Sequence, residues 1–240
     1  MFIPFGETCA AAVSLRNLNL REFALPFDWV RTTPESLIRA IEDDFKRFHE
    51  EVQLSESKLY VTDFYGIEFP HDYPTKKQVD VTTDASEEDY TIGENILVDH
   101  WMESIPAVKK KYARRIERFI SLMKSDKQIT IVTECRLKNM QDFNDLFLRK
   151  YNKRNILYVV LSHEVITEEE NRGFFDRGVC LCEPETVWEN ENGEWGIVQE
   201  ERDALWKNAI IKLLHSKKIE LPGCFLGNSP PVCAPTANTS

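Results

Sequence analysis

Gln128-Ile129-Thr130-Ile131-Val132-Thr133, then Met140 to Lys150, then Asn155-Ile156-Leu157-Tyr158-Val159-Val160-Leu161 is the stretch that decides the fold. The first and last segments are β-branched, apolar and short. The middle one repeats its apolar residues at helical spacing. A strand, a helix and a second continuous apolar strand in this order predict a right-handed βαβ unit, and hence a parallel sheet covered on both faces. We therefore expect an α/β fold with a mixed or mainly parallel sheet and flanking helices.

Working outward, Met1 to Phe5 reads as another short apolar strand. Thr8 is a candidate N-cap for a helix from Cys9 to about Leu18. Thr33 with Pro34 and Glu35 starts a helix expected to run to about His49. Lys58 to Phe69 reads as one or two strands, and Gln78 to Val108, without Lys or Arg, as an exposed acidic loop with a short helix near its end. Ser104-Ile105-Pro106 opens a helix to about Lys124, with Val108, Tyr112, Ile116, Phe119 and Met123 as its buried stripe. Beyond the βαβ unit, Thr186 to Val198 predicts a hairpin about Asn192-Gly193. A helix from about Glu200 to His215 follows, with Leu205, Trp206, Ala209, Ile210 and Leu213 inward. The expected organisation is a single α/β domain over 1–220 and a flexible tail over 221–240, rich in Pro, Ser and Thr.

The chain has 240 residues and a net charge of −10, which argues against a nucleic-acid partner. No apolar run approaches the ~20 residues of a membrane span, and the first residues do not read as a signal peptide. Six scattered cysteines suggest a reducing, cytoplasmic location. Cys180, Cys182, Cys224 and Cys233 fit no strong zinc spacing. There is no phosphate-binding glycine loop and no Asp-x-Asp pair. We therefore expect no metal and no cofactor.

In open α/β sheets ligands sit beyond the carboxyl ends of the strands. Three predicted strands end in reactive residues: Gly6 to Cys9, Glu134 to Arg136, and Ser162-His163. Cys9 falls at the start of a helix, where partial positive charge favours the thiolate. His71 is the first candidate for its base and His163 the rival, with Asp28 or Asp72 to orient the imidazole. His49, His100 and His215 fall on amphipathic or polar segments and read as solvated. Arg115 borders the buried stripe of its helix and is the best anchored anion binder there, with Arg136 a second at a strand end. Two chemistries fit. One is a cysteine-dependent hydrolase or acyl transferase acting on a peptide, acyl or glycan-type substrate. The other is a metal-independent glycosyltransferase-like enzyme with Arg115 and Arg136 on a nucleotide-sugar diphosphate.

Gly6-Glu7-Thr8-Cys9 with Ala11 or Ala12 and Leu15, Leu20-Arg21, Pro26-Phe27-Asp28-Trp29, Phe69-Pro70-His71-Asp72-Tyr73 and Lys111-Tyr112-Ala113-Arg114-Arg115-Ile116-Glu117-Arg118, with the strand ending in Arg136, together resemble a domain family described as papain-like cysteine peptidases. The resemblance covers about residues 1–215. It implies a thiol nucleophile at Cys9, a base at His71 and an intracellular α/β protein, similar to ones found in bacteria and large DNA viruses. No Gln precedes Cys9, so the oxyanion would fall to the Cys9 backbone N–H.

Overall fold

A computed structural model describes residues 1–76, 96–161, 167–182, 187–189, 195–197 and 199–223. Its centre is a four-stranded parallel sheet of order β1-β5-β6-β7. The strands are β1 (Phe2–Pro4), β5 (Ile129–Glu134), β6 (Ile156–Leu161) and β7 (Val179–Cys182). Phe2 pairs with Thr130, and Ile129 through Glu134 pair in register with Ile156 through Leu161. The expected βαβ unit is present, its crossover being α4 (Leu137–Tyr151). The structure also pairs β1 in parallel with β5, a neighbour relation that the sequence alone does not establish.

The continuous apolar strands are explained by burial on both faces. Alternate residues Ile3, Phe5, Ile131, Tyr158 and Val160 join a core cluster with Met140, Phe143 and Phe147 of α4 and with Phe119 and Tyr112. The intervening residues Val132, Leu157, Val159, Leu161 and Cys180 join a second cluster. That one is closed by Ala10, Ala11 and Leu15 of α1 (Ala10–Asn17) and by Trp206, Ile210 and Leu213 of α6 (Gln199–Ser216).

Between β1 and β5 lie α2 (Pro34–Glu42), a small antiparallel sheet and α3 (Ile105–Lys124). The sheet has order β2-β3-β4, with β2 at Gln53–Leu54, β3 at Val61–Thr62 and β4 at Glu68–Phe69. Val108, Tyr112, Phe119 and Met123 of α3 are buried as the spacing predicts, while Ile116 is half-buried. The Lys153 ammonium reaches the end of α3, donating to the carbonyls of Leu122 (3.4 Å), Ser125 (2.6 Å) and Lys127 (2.5 Å). A cation there satisfies orphan carbonyls and complements the helix dipole. Helix α5 (Glu168–Asp176) precedes β7, and the antiparallel pair of β8 (Val187–Glu189) and β9 (Trp195–Ile197) follows it. The Asn192-Gly193 turn lies outside the described residues, as do 77–95 of the acidic loop and 224–240 of the tail.

Two expectations fail between residues 42 and 50. The helix α2, capped at Thr33 as expected, stops at Glu42 rather than His49. Asp44 and Phe45 adopt left-handed backbone, at φ 54° and 57°. The Phe45 N–H donates to Ala40 and that of Asp44 to Ile41, the two bonds of a Schellman ending. The apolar periodicity continued because Phe45 and Phe48 stay buried after the backbone has turned.

His49, expected to be solvated, is fully buried. Its ring lies edge-on to Phe69 and stacks near Tyr73 and Tyr112, and its Nε2 is 2.5 Å from the Tyr73 hydroxyl. Burial pulls its pKa down to about 4. The unfolded chain takes up that proton near pH ~6.5. His49 therefore favours the native state fully above about pH 6.5 and progressively less as pH falls to about 4. Asp63, whose carboxylate accepts from the backbone N–H groups of His49, Tyr65 and Ile67, acts in the opposite sense. Desolvation raises it to about 6, so its contribution grows on acidification. The His49 part is isolated by comparison with His49→Phe, which keeps the backbone donor to Asp63. The difference in unfolding free energy between wild type and this variant is expected to shrink by roughly 3 kcal/mol from about pH 7 to about pH 4. Urea titrations at both values check this, and a pH-independent difference would refute the neutral buried imidazole.

Candidate functional site

Strand β1 delivers the chain to the carboxyl end of the sheet, where Gly6 makes the exit. Its φ is +154°, and a Cβ there would lie 3.0 Å from Thr133 Oγ1 and 3.3 Å from the Glu134 carbonyl. Only glycine passes this close to β5. Glu7 then accepts through its carbonyl from the Thr32 N–H at 2.9 Å, tying the exit to the Trp29–Thr33 segment. Cys9 is the residue before α1, with helix-like φ −77°. The N-cap position falls on Cys9 rather than on the expected Thr8, with no side-chain cap bond, because the helix begins one residue later at Ala10; the Thr8 Oγ1 accepts from the Ala10 N–H at 3.2 Å.

Cys9 is half-exposed, whereas Cys135 and Cys180 are buried. Desolvation pushes the Cys135 thiol up to about 12 and raises that of Cys180. Cys9 is thus the accessible thiol among these three.

Trp29 is half-buried and packs against the end of α1 through Arg16. The Arg16 guanidinium lies 5.3 Å and that of Arg21 5.2 Å from its ring centroid. The His71 ring meets it edge-on, centroids 6.5 Å apart. His71 is exposed and follows β4, which is held beside the Trp29 segment by the paired backbone bonds of Arg31 and Glu68. No hydrogen bond joins His71 to Cys9, Asp28 or Asp72.

The two candidate orienting carboxylates are engaged elsewhere. Asp72 accepts from the Tyr112 hydroxyl at 2.8 Å and pairs with Lys111, with its side chain 3% exposed. Asp28 is fully buried and accepts at Oδ2 from Arg21 Nε at 2.8 Å and from the Leu25 N–H at 3.1 Å. Desolvation raises the Asp28 pKa, opposed first by the Arg21 charge. Asp28 Oδ1 and Arg115 Nη1 are both buried without a hydrogen-bond partner, and the Arg115 charge acts on Asp28.

Arg115 lies on α3 over the Tyr112 ring, 5.0 Å from its centroid. Arg136 is exposed at the N-cap of α4. Among the described residues no shared partner brings these two arginines together, as a common diphosphate would require. His163 lies outside the described residues. The described residues contain no cluster of His, Cys, Asp or Glu able to hold a metal ion. None of their helices is long and apolar enough to cross a membrane.

Sequence reasoning missed Arg16 and Arg21. Arg21 stands in the Leu20-Arg21 stretch of the resemblance without an assigned role, Arg16 stands in no motif, and each acquires its place only when α1 and the following turn fold against Trp29. A weak signal existed, since an Asp inside the apolar run Leu25 to Val30 needs a partner.

A family model described as "Putative papain-like cysteine peptidase (DUF1796)" matches residues 1–161. That span ends with β6 and includes Cys9, Asp28, His71, Asp72, Arg115 and Arg136. A curated relative, "Uncharacterized protein R408" of Acanthamoeba polyphaga mimivirus, is 29% identical over 156 residues. The match covers 56% of this chain and 61% of that protein. No solved structure matches.

Removing Arg21 would leave Asp28 as an uncompensated buried charge. Arg21→Ala is expected to cost about 3 kcal/mol of stability near neutral pH. The loss should shrink on acidification, because the unpaired carboxyl, its pKa raised further, takes up a proton in the native state. Denaturant unfolding of both proteins across pH checks this, and an equal loss at all pH values would refute it.

Proposed function

The chain belongs to the putative papain-like cysteine peptidase (DUF1796) family, and from that premise we propose that it is a cysteine-dependent hydrolase or acyl transferase with Cys9 as its nucleophile. The observation that carries the proposal is the contrast among the thiols. Cys9 alone of the three described free cysteines is reachable, and it heads a helix, whereas Cys135 and Cys180 are sealed in the core. A helix N-terminus stabilises thiolate, and thiolate is the reactive form.

In this mechanism the Cys9 thiol gives its proton to His71, and the sulfur attacks the acyl carbon of the substrate. The bond from that carbon to the leaving group breaks, and His71 returns the proton to the leaving group. Water or an acceptor nucleophile then cleaves the thioester and regenerates the thiol. The carbonyl oxygen, negatively charged in the intermediate, is held by the Cys9 backbone N–H. His71 must swing from the Trp29 edge to Cys9 when substrate binds, as catalytic hydrogen bonds often tighten only in the complex. Asp72 and Asp28 contribute indirectly. Asp72 anchors the chain next to His71 on Tyr112 and Lys111. Asp28 fixes Arg21 against Trp29, on whose edge the imidazole rests.

The test is the alkylation rate of each cysteine against pH, read by peptide mass spectrometry, in wild type and His71→Ala. Cys9 is expected to react fastest, and to lose that advantage when His71 is removed. Cys135 and Cys180 should stay slow and serve as internal references. A Cys9 rate no faster than theirs would overturn the proposal.

A further inference from the structure

Resting on the reading of Cys9 as nucleophile, we infer that Arg16 and Trp29 form a subsite for an anionic group, and hence that the acyl substrate carries a carboxylate or phosphate roughly two residues' length from the reacting carbon.

Cys9 and Arg16 are seven positions apart along α1, which returns them to one face of the helix, about 10 Å apart along its axis. The Arg16 guanidinium is not loose on that face. It lies over the Trp29 ring at 5.3 Å, within the range of a cation–π contact. An arginine already stacked loses less freedom when it grips an anion than one free in solvent, and its planar fork suits a carboxylate or phosphate.

The charges around this spot leave Arg16 available. Arg21, the other guanidinium on Trp29, is committed to Asp28. Arg31 pairs with Glu68 at 2.9 Å. Asp203, brought up by α6, accepts from the neighbouring Asn17 side chain at 2.9 Å. Among the described residues no salt bridge reaches Arg16, which is exposed, and none reaches His71 on the edge of the same indole. A protein of net charge −10 repels anions as a whole. Cationic groups gathered on one tryptophan, with Arg16 on the helix face that Cys9 heads, therefore mark the direction from which an anionic substrate approaches.

The experiment compares two reagents that differ only in charge: N-iodoacetyl-diglycine as the free acid, and its C-terminal amide. Each forms the Sγ–carbon bond at Cys9 and expels iodide, and two glycines span about 7 Å beyond the reacting group. The readout is the ratio of free-acid to amide rate constants at Cys9, measured by peptide mass spectrometry at low and high salt. The ratio is self-normalising against changes in thiol reactivity. In wild type it is expected to exceed that of Arg16→Gln by about fivefold at low salt and by less at high salt. Lys46→Gln, an exposed lysine outside the site, changes net charge equally and should keep the wild-type ratio. Equal ratios in wild type and Arg16→Gln, with Cys9 still reactive, would overturn the subsite alone. Failure of Cys9 to react with either reagent would overturn the nucleophile, and the subsite with it.

Discussion

Phe5 is the side chain through which the parts of this protein are joined. Its ring meets Phe27 at 5.4 Å, Phe143 at 4.8 Å and Phe147 at 5.5 Å, each nearly edge-on. The last residue after β1 is thereby packed at once against the Trp29 segment and against the crossover helix of the βαβ unit. Phe27 continues the network to Phe45, Phe48 and Phe119. Edge-to-face aromatic contacts add about 1 kcal/mol each to the area they bury. Their geometry also fixes where the following residue must go. Gly6 leaves the sheet in the one direction that the cluster and β5 leave open, and Cys9 is carried with it.

The candidate site is thus a surface feature held by buried pairings. Asp28 and Asp72 are both closed to solvent, and each is matched to a cation that reaches towards the surface. Burying a carboxylate is costly unless it is paired and hydrogen-bonded. Each Asp therefore specifies the position of its partner closely. Through Arg21 and Lys111 the interior dictates the arrangement of an exterior patch whose own residues, Arg16 and His71, are exposed. Rigid support beneath adaptable groups is the division of labour expected of a binding surface.

Much of the frame was legible because it rests on local rules. The unbroken Ile156–Leu161 run could only be a strand covered on both faces, and the Thr33-Pro34-Glu35 start needed no tertiary information. Three alanines after a short apolar strand place Cys9 at a helix start, although the cap falls on Cys9 itself and not on Thr8. What was not legible depended on pairings distant in sequence. His49 looked like the polar end of a helix because Phe45 and Phe48 keep helical spacing after the backbone has reversed hand. Its burial is decided by Phe69, Tyr73 and Tyr112. Asp72 reads as a natural orienter of its neighbour His71, yet a tyrosine and a lysine some forty residues on claim both of its oxygens. Nothing local to His71-Asp72 announces that competition.

The pairing of β1 with β5 has a bearing on how the chain comes together in time. Met1 and Gln128, joined across the base of this pair, are 127 residues apart. Closing so long a loop is a slow step relative to forming helices or the small antiparallel sheet. On a ribosome, the segment from Phe2 to Phe5 is synthesised well before its partner strand and has no sheet to enter until Ile129 to Glu134 emerge. Gly6 has no neighbour to skirt, and Cys9 no fixed setting, before that moment.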